Sequence, residues 1–457
     1  MTLAALLDGS TPKSLLERRG LSAAQVEAKA ALFGQAAEVL ASLSPDRQQP
    51  VHALFVPGRI EVLGKHTDYA GGHTLVTAVE QGFCLVASER TDVRVRICAA
   101  ASGEQVEFAL EPALEARHGH WANYPMTVAR RVARNFPTAR RGADIAFISD
   151  LPPASGMSSS SAMIVATFLA LARINRLATT AEYRRDIRDA LALAAYLGTV
   201  ENGQTFGGLV GDRGVGTFGG SEDHTAILCS TAGHLGQFGY CPARHERYIR
   251  LPPGLVFAVG FSGVVAEKTG AAQELYNRAA GLVQAIVQIW RQATGSQAVY
   301  LEQILAADPE APGRLRAVLA TAVADGFTGD ELVRRLDHYV AENHQIVGPA
   351  GDALEAGDLP AFGRLVDRSQ ELTETLLGNQ VPQTILLARL ARQHGALAAS
   401  AFGAGFGGSV WALIHADRAG DFLQRWSADY AAAFPAAAAR SRFFTTGAGA
   451  AAFPLAA

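Results

Sequence analysis

Cysteine is scarce. Four residues in 457, Cys84, Cys98, Cys229 and Cys241, are scattered with no Cys-x-x-Cys spacing. That argues against a disulfide framework or a zinc site and fits a reducing compartment, so a cytoplasmic location is expected. No apolar run reaches the ~18 residues that suggest a membrane span. The first residues, MTLAALLDGSTPKSLLERRG, have no basic stretch ahead of their short apolar run and carry Asp8 early, so no signal peptide is expected. Neither sign of charge dominates: the net charge is -3, which favours neither nucleic acid nor an anionic membrane as a partner. The Walker A pattern G-x-x-x-x-G-K-[ST] is absent, and no repeat of fixed period is visible. Apolar residues, by contrast, make up 49% of the chain, enough for two or three domains or one large two-lobed enzyme. Glycine gathers in a few segments with charged residues embedded in them, which suits the walls of a site better than linkers.

Hydrophobic periodicity predicts one or two amphipathic helices over residues 12 to 44 and strands from His52 to Ile97, interrupted by a turn at YAGGH. Residues 121 to 136 read as a helix, ADIAFISD as a strand, and the apolar run after the serines as a helix to about Asn175. Helical patterns dominate again from Gly270 to about His394, broken near Thr294, Asp308–Gly313, Gly326 and Gly357. ALAASAFGAGFGGSVWALIHA reads as strand, Gly loop, strand; a helix and a last strand follow. The expected class is α+β in two lobes that part near residue 250: 1–250 and 251–457.

Four features carry chemistry. In LPPASGMSSSSAM, residues 151–163, a glycine and four serines lie between a strand-like stretch and a helix. Amides at a helix start form an anion site strengthened by the macrodipole, and serine hydroxyls add donors. A Ser-rich linker or plain N-cap is the alternative; the strand–loop–helix context favours a phosphate cradle. In PGRIEVLGKHTDYAGG, residues 57–72, Arg59 can fork onto phosphate, while Lys65, His66 and Asp68 cluster where a polyhydroxylated substrate could be held. In GTFGGSEDHTAIL, residues 216–228, Asp223 can orient and deprotonate an alcohol. Glu201 is a candidate magnesium ligand together with a serine hydroxyl. FGAGFGGSVWAL adds Gly403, Gly405, Gly407 and Gly408 but lacks the helix and acidic residue of a dinucleotide site. Together these are the parts of phosphoryl transfer.

In this order the segments resemble the GHMP small-molecule kinases, galactokinases most closely. PGRIEVLGKHTDYAGG is similar to their first motif, LPPASGMSSSSA to their second and GAGFGG to their last. WANYPMTVARRV and ELYNRA resemble further galactokinase segments, so the likeness covers about residues 50 to 415. It implies a ribosomal-protein-S5-like first lobe, a ferredoxin-like second lobe, and ATP and Mg2+ as cofactors. It further implies a sugar acceptor phosphorylated at the anomeric hydroxyl, in a monomer or weak dimer. By the resemblance, Asp223 is the catalytic Asp and Arg59 its partner. Ser155, Gly156, Met157, Ser158, Ser159, Ser160 and Ser161 bind ATP, with Ser160 and Glu201 on the metal. Lys65, His66, Asp68, Gly220 and Tyr276 meet the sugar, and Gly403 to Gly408 support the site. The chain departs from the motif at Lys65, where galactokinases have Glu, at Glu61 for Asn, at His224 for Gln and at Ala154 for Gly. A lysine suits a carboxylate, so an acidic sugar, a uronate, is an alternative acceptor. A sugar and ATP sensor without turnover, and a kinase for mevalonate or homoserine, are the other readings.

Overall fold

The computed structural model describes residues 1–9, 13–44, 46–265, 270–322, 324, 326–403 and 405–456. The first sheet uses β1 (Val51–Leu63), β2 (His73–Glu89), β3 (Arg94–Ala99), β4 (Gln105–Ala109), β5 (Ala143–Ser149), β6 (His234–Gly239) and β7 (Arg244–Arg250). The second uses β8 (Leu255–Phe261), β9 (Ala398–Ala401), β10 (Ser409–His415) and β11 (Arg442–Thr446). A short β12 (Phe453–Pro454) then pairs with β1 in the first sheet. The first sheet runs β12-β1-β2-β5-β3-β4, with β6 on β2 and β7 on β6. The expected assignment of all of 251–457 to the second lobe is therefore corrected at its tail. Phe55 and Phe453 stack there at 5.4 Å, and Gly449 bridges to Ala78.

The first sheet is covered on both faces, and the period-two alternation of β1 shows why. Val51, Ala53 and Phe55 pack under the N-terminal helices, chiefly Ala23–Leu43. Leu54 and Val56 point the other way, into the main core with the helices Asn123–Asn135 and Ser159–Ile174. Burying each such side chain contributes roughly 1.5–3 kcal/mol. Further along β1, Ile60 and Val62 belong to the core, so Arg59 and Glu61 share the opposite face.

The second sheet is antiparallel in the order β11-β8-β10-β9, fourth-first-third-second, the ferredoxin-like arrangement. Between β8 and β9 stands a block of helices with its own core, including Val283, Ile286, Leu315 and Leu336, which also takes in Ala70 from the β1–β2 turn. The π-helical stretch Ala341–Val347 interrupts an α-helical run, and a second, Thr373–Leu377, ends one at Gly378. Nothing in residue periodicity announced them.

Candidate active site

The serine stretch forms a strained loop capped onto a helix. Ala154, Gly156 and Ser158 all have positive φ, and Ser158 is the residue that leads into the helix Ser159–Ile174. The first-turn amides of that helix have no intrahelical acceptor and aim at the mouth of a cavity of about 540 Å³. Gly156, Ser158, Ser159 and Ser160 line this cavity. Ser155 and Met157 do not: Met157 is core, and both are almost fully buried. Not all seven expected ATP contacts therefore face the cavity, because a tight loop must send alternate side chains inward. The same cavity is also lined by the aromatic and apolar side chains Phe83, Trp121, Tyr124, Phe147 and Met163. Trp121 Nε1 and Asn123 Oδ1 are buried there without partners, an unpaired donor and acceptor suited to the edge of a planar heterocycle.

Beside the loop, Arg59 ties three segments together. Its Nε and Nη2 each lie 2.8 Å from Asp223 Oδ1, and its Nη1 donates to the Gly156 carbonyl at 2.7 Å. Burial opposes the guanidinium charge, but Asp223, Glu222 and Glu61 more than offset it, so its pKa rises above the usual arginine value. Asp223 sits in the first turn of the helix Glu222–Cys229, where the helix dipole favours a carboxylate. Ser161 Oγ lies 2.9 Å from Glu201 Oε2 and 3.2 Å from Asp223 Oδ2. The serine that touches the expected metal carboxylate is thus Ser161, while Ser160 faces the cavity.

A second, narrower cleft of about 30 Å³ opens on the other side of Arg59. His66, Asp68, Gly220 and Tyr276 line it together with Glu61, Glu222 and Asp223. Asp68 Oδ2 accepts from the Glu222 amide at 3.1 Å, and a Cβ at Gly220 would sit 2.3 Å from the same oxygen, so only glycine fits that wall. His66 Nδ1 is 2.9 Å from the Tyr69 hydroxyl, and its ring lies 5.4 Å from that of Tyr276.

Lys65 is the clear correction. It is fully buried and does not line the cleft. Its Nζ donates to Ser400 Oγ at 2.5 Å and Ser369 Oγ at 3.3 Å, both in the second lobe. The Lys65 amide, with that of Gly64, is held by Glu342 Oε1 at 3.3 and 2.7 Å. Burial lowers its pKa, against the pull of Glu342 and Glu61.

The C-terminal glycines divide their work. Gly403 lines the cleft and Gly405 the cavity. Gly407 and Gly408 line neither; the Gly408 amide donates to the Val264 carbonyl at 2.8 Å, and a Cβ on Gly407 would meet that carbonyl oxygen at the same distance. The loop packs on the serine loop, with Ser409 Oγ donating to the Ser155 carbonyl at 2.8 Å.

Residue reasoning passed over Glu222, the aromatic cavity wall and the pocket role of Glu61. Strand alternation from Arg59 was the signal for Glu61. The wall comes from four separate segments, of which only WANYPMTVARRV stood out, through the resemblance.

The solved structure of Lactococcus lactis galactokinase complexed with galactose matches with a TM-score of 0.75 at 21% identity, covering 91% of this chain and 98% of that one. Methanococcus jannaschii mevalonate kinase matches at 0.53 and 13%, covering 88% and 98%. The GHMP kinases N terminal domain matches residues 123–210 and the GHMP kinases C terminal domain 352–432. Fold and paired domains thus define a GHMP kinase. The galactokinase galactose-binding signature matches residues 46–89. A galactokinase of Chloroflexus aggregans is 30% identical over 389 residues, 84% of this chain and 88% of the relative; one from Roseiflexus sp. (strain RS-1) is 29% identical over 365, 78% and 82%. The chain belongs to the galactokinase family.

Proposed function

We propose that the protein is an ATP- and Mg2+-dependent kinase acting on the anomeric hydroxyl of galactose or a closely related neutral sugar. The observation that carries this is the Arg59 junction, which links Asp223 to the Gly156 carbonyl of the serine loop and so fixes the acceptor side against the phosphate side. The larger cavity takes the nucleotide, its base against Trp121 and Phe147 and its phosphates at Gly156 and Ser158–Ser160. The narrow cleft takes the sugar against the glycine wall at 219–220. Asp223, held by Arg59 through Oδ1, presents Oδ2 to the acceptor hydroxyl and takes its proton as oxygen attacks the terminal phosphorus and the bond to the departing diphosphate breaks. Glu201 with the Ser160 and Ser161 hydroxyls is a set of hard oxygen donors that fits Mg2+, which when bound neutralises phosphate charge.

The uronate alternative rested on an ammonium in the sugar site, and the Lys65 ammonium is spent on two serine hydroxyls elsewhere. The test is Asp223→Ala with galactose and ATP. We expect kcat to fall by about 10²–10⁴ while calorimetric galactose binding persists. Turnover at the parent rate would remove Asp223 from the reaction.

A further inference from the structure

Glu61 and Glu222 meet in the wall of the acceptor cleft, and no step above uses them. Glu61 is 3% exposed and Glu222 5%. Neither Oε1 has an N–H or a hydroxyl donor, and the two buried carboxyls repel each other, a repulsion that one proton held between them would relieve. Arg59 Nε is 3.8 Å from Glu222 but engaged by Asp223 and the Gly156 carbonyl. Around the pair stand Arg59 from β1, Lys65 and Asp68 from the following turn, and Asp223, next to Glu222 on its own helix. His66, Glu201 and His224 line the same cleft. Among the described residues lining it, Arg59 is the one permanent cation, facing five carboxyls.

We infer that Glu61, paired with Glu222, determines acceptor specificity: the carboxyl pair holds one sugar hydroxyl as donor and acceptor at once and turns away sugars bearing a carboxylate. This rests on the proposed sugar kinase reading and names the acceptor class as uncharged. The chemistry is direct. Two buried carboxyls in contact resist losing both protons. With one proton, one carboxyl donates and the other accepts, the complement of an alcohol O–H. A uronate would bring a further negative charge with no disengaged cation to meet it. Burial, with mutual repulsion for Glu222, raises both groups, Glu61 to about 7 and Glu222 well above the ordinary range, so the shared proton persists into neutral pH.

The experiment is steady-state kinetics with ATP and Mg2+ from pH 5.5 to 8.5, on the parent, Glu61→Gln and Glu222→Gln, with galactose and galacturonate. Calorimetric binding of both sugars runs in parallel. The parent should discriminate against galacturonate. Glu61→Gln should raise the galactose KM about tenfold, a 1.4 kcal/mol change, with kcat nearly kept. It should also flatten the pH dependence of KM and narrow the galactose-to-galacturonate ratio. A galactose KM unchanged in both variants, or equal use of both sugars by the parent, overturns the inference. Should the parent turn over neither sugar, the kinase reading fails, and the same comparison made in Kd still decides the role of the pair. Should Glu61→Gln fail to fold, Glu222→Gln answers the same question from the other carboxyl.

Discussion

At the scale of single residues, Arg59, Asp223 and Lys65 are each held by more than one partner. Lys65 shows how position in a motif and direction in space can part company. The resemblance placed it against the sugar, whereas its stem runs the other way, into hydroxyls of the second lobe. Lys65→Met should therefore leave the galactose-to-galacturonate preference unchanged, and kinetics with both sugars checks this. The buried acid pair has a consequence for stability. The raised pKa of Glu61, about 7 against 4.5 in the unfolded chain, means that the native state binds more protons between those values. The stabilisation is complete below about 4.5 and is lost as pH rises through about 7. Urea unfolding of the parent should show stability falling across that window, and Glu61→Gln should show a flatter curve.

At the scale of elements, the loops are built on backbone geometry that side chains would spoil. Gly405 has φ +79°, and a Cβ there would lie 2.2 Å from the Asn379 carbonyl oxygen. Gly405→Ala should displace the loop, raise the KM for ATP several-fold and cost at least about 1–2 kcal/mol; kinetics and thermal melts test both. Much of this level was legible in the sequence. The strand–serine loop–helix unit, the strand pair around YAGGH and the last Gly loop follow local rules that the chain obeys. The reach of Arg59 to Asp223 was legible only through the resemblance, because nothing local joins residues so far apart. The π-helical stretches were not legible at all. The first of them, Ala341–Val347, carries Glu342 and Asn343, which accept from the backbone amides of Gly64 and His73.

At the scale of the whole molecule, the two sheets are joined by more than their connecting helices. The tail crosses back to lay β12 along β1, with Phe453 nearly buried beneath Arg19 and beside Phe55. Phe453→Ala should destabilise the fold by about 3–5 kcal/mol with little change in sugar preference, measurable by denaturant titration. The same pairing has a consequence during synthesis. β1 leaves the ribosome long before its partner exists, so its outer edge stays unpaired while the rest of the chain is made. An open strand edge invites pairing with another nascent chain. The N-terminal helices are made before β1 and cover one of its faces, which leaves the outer edge for the tail to close.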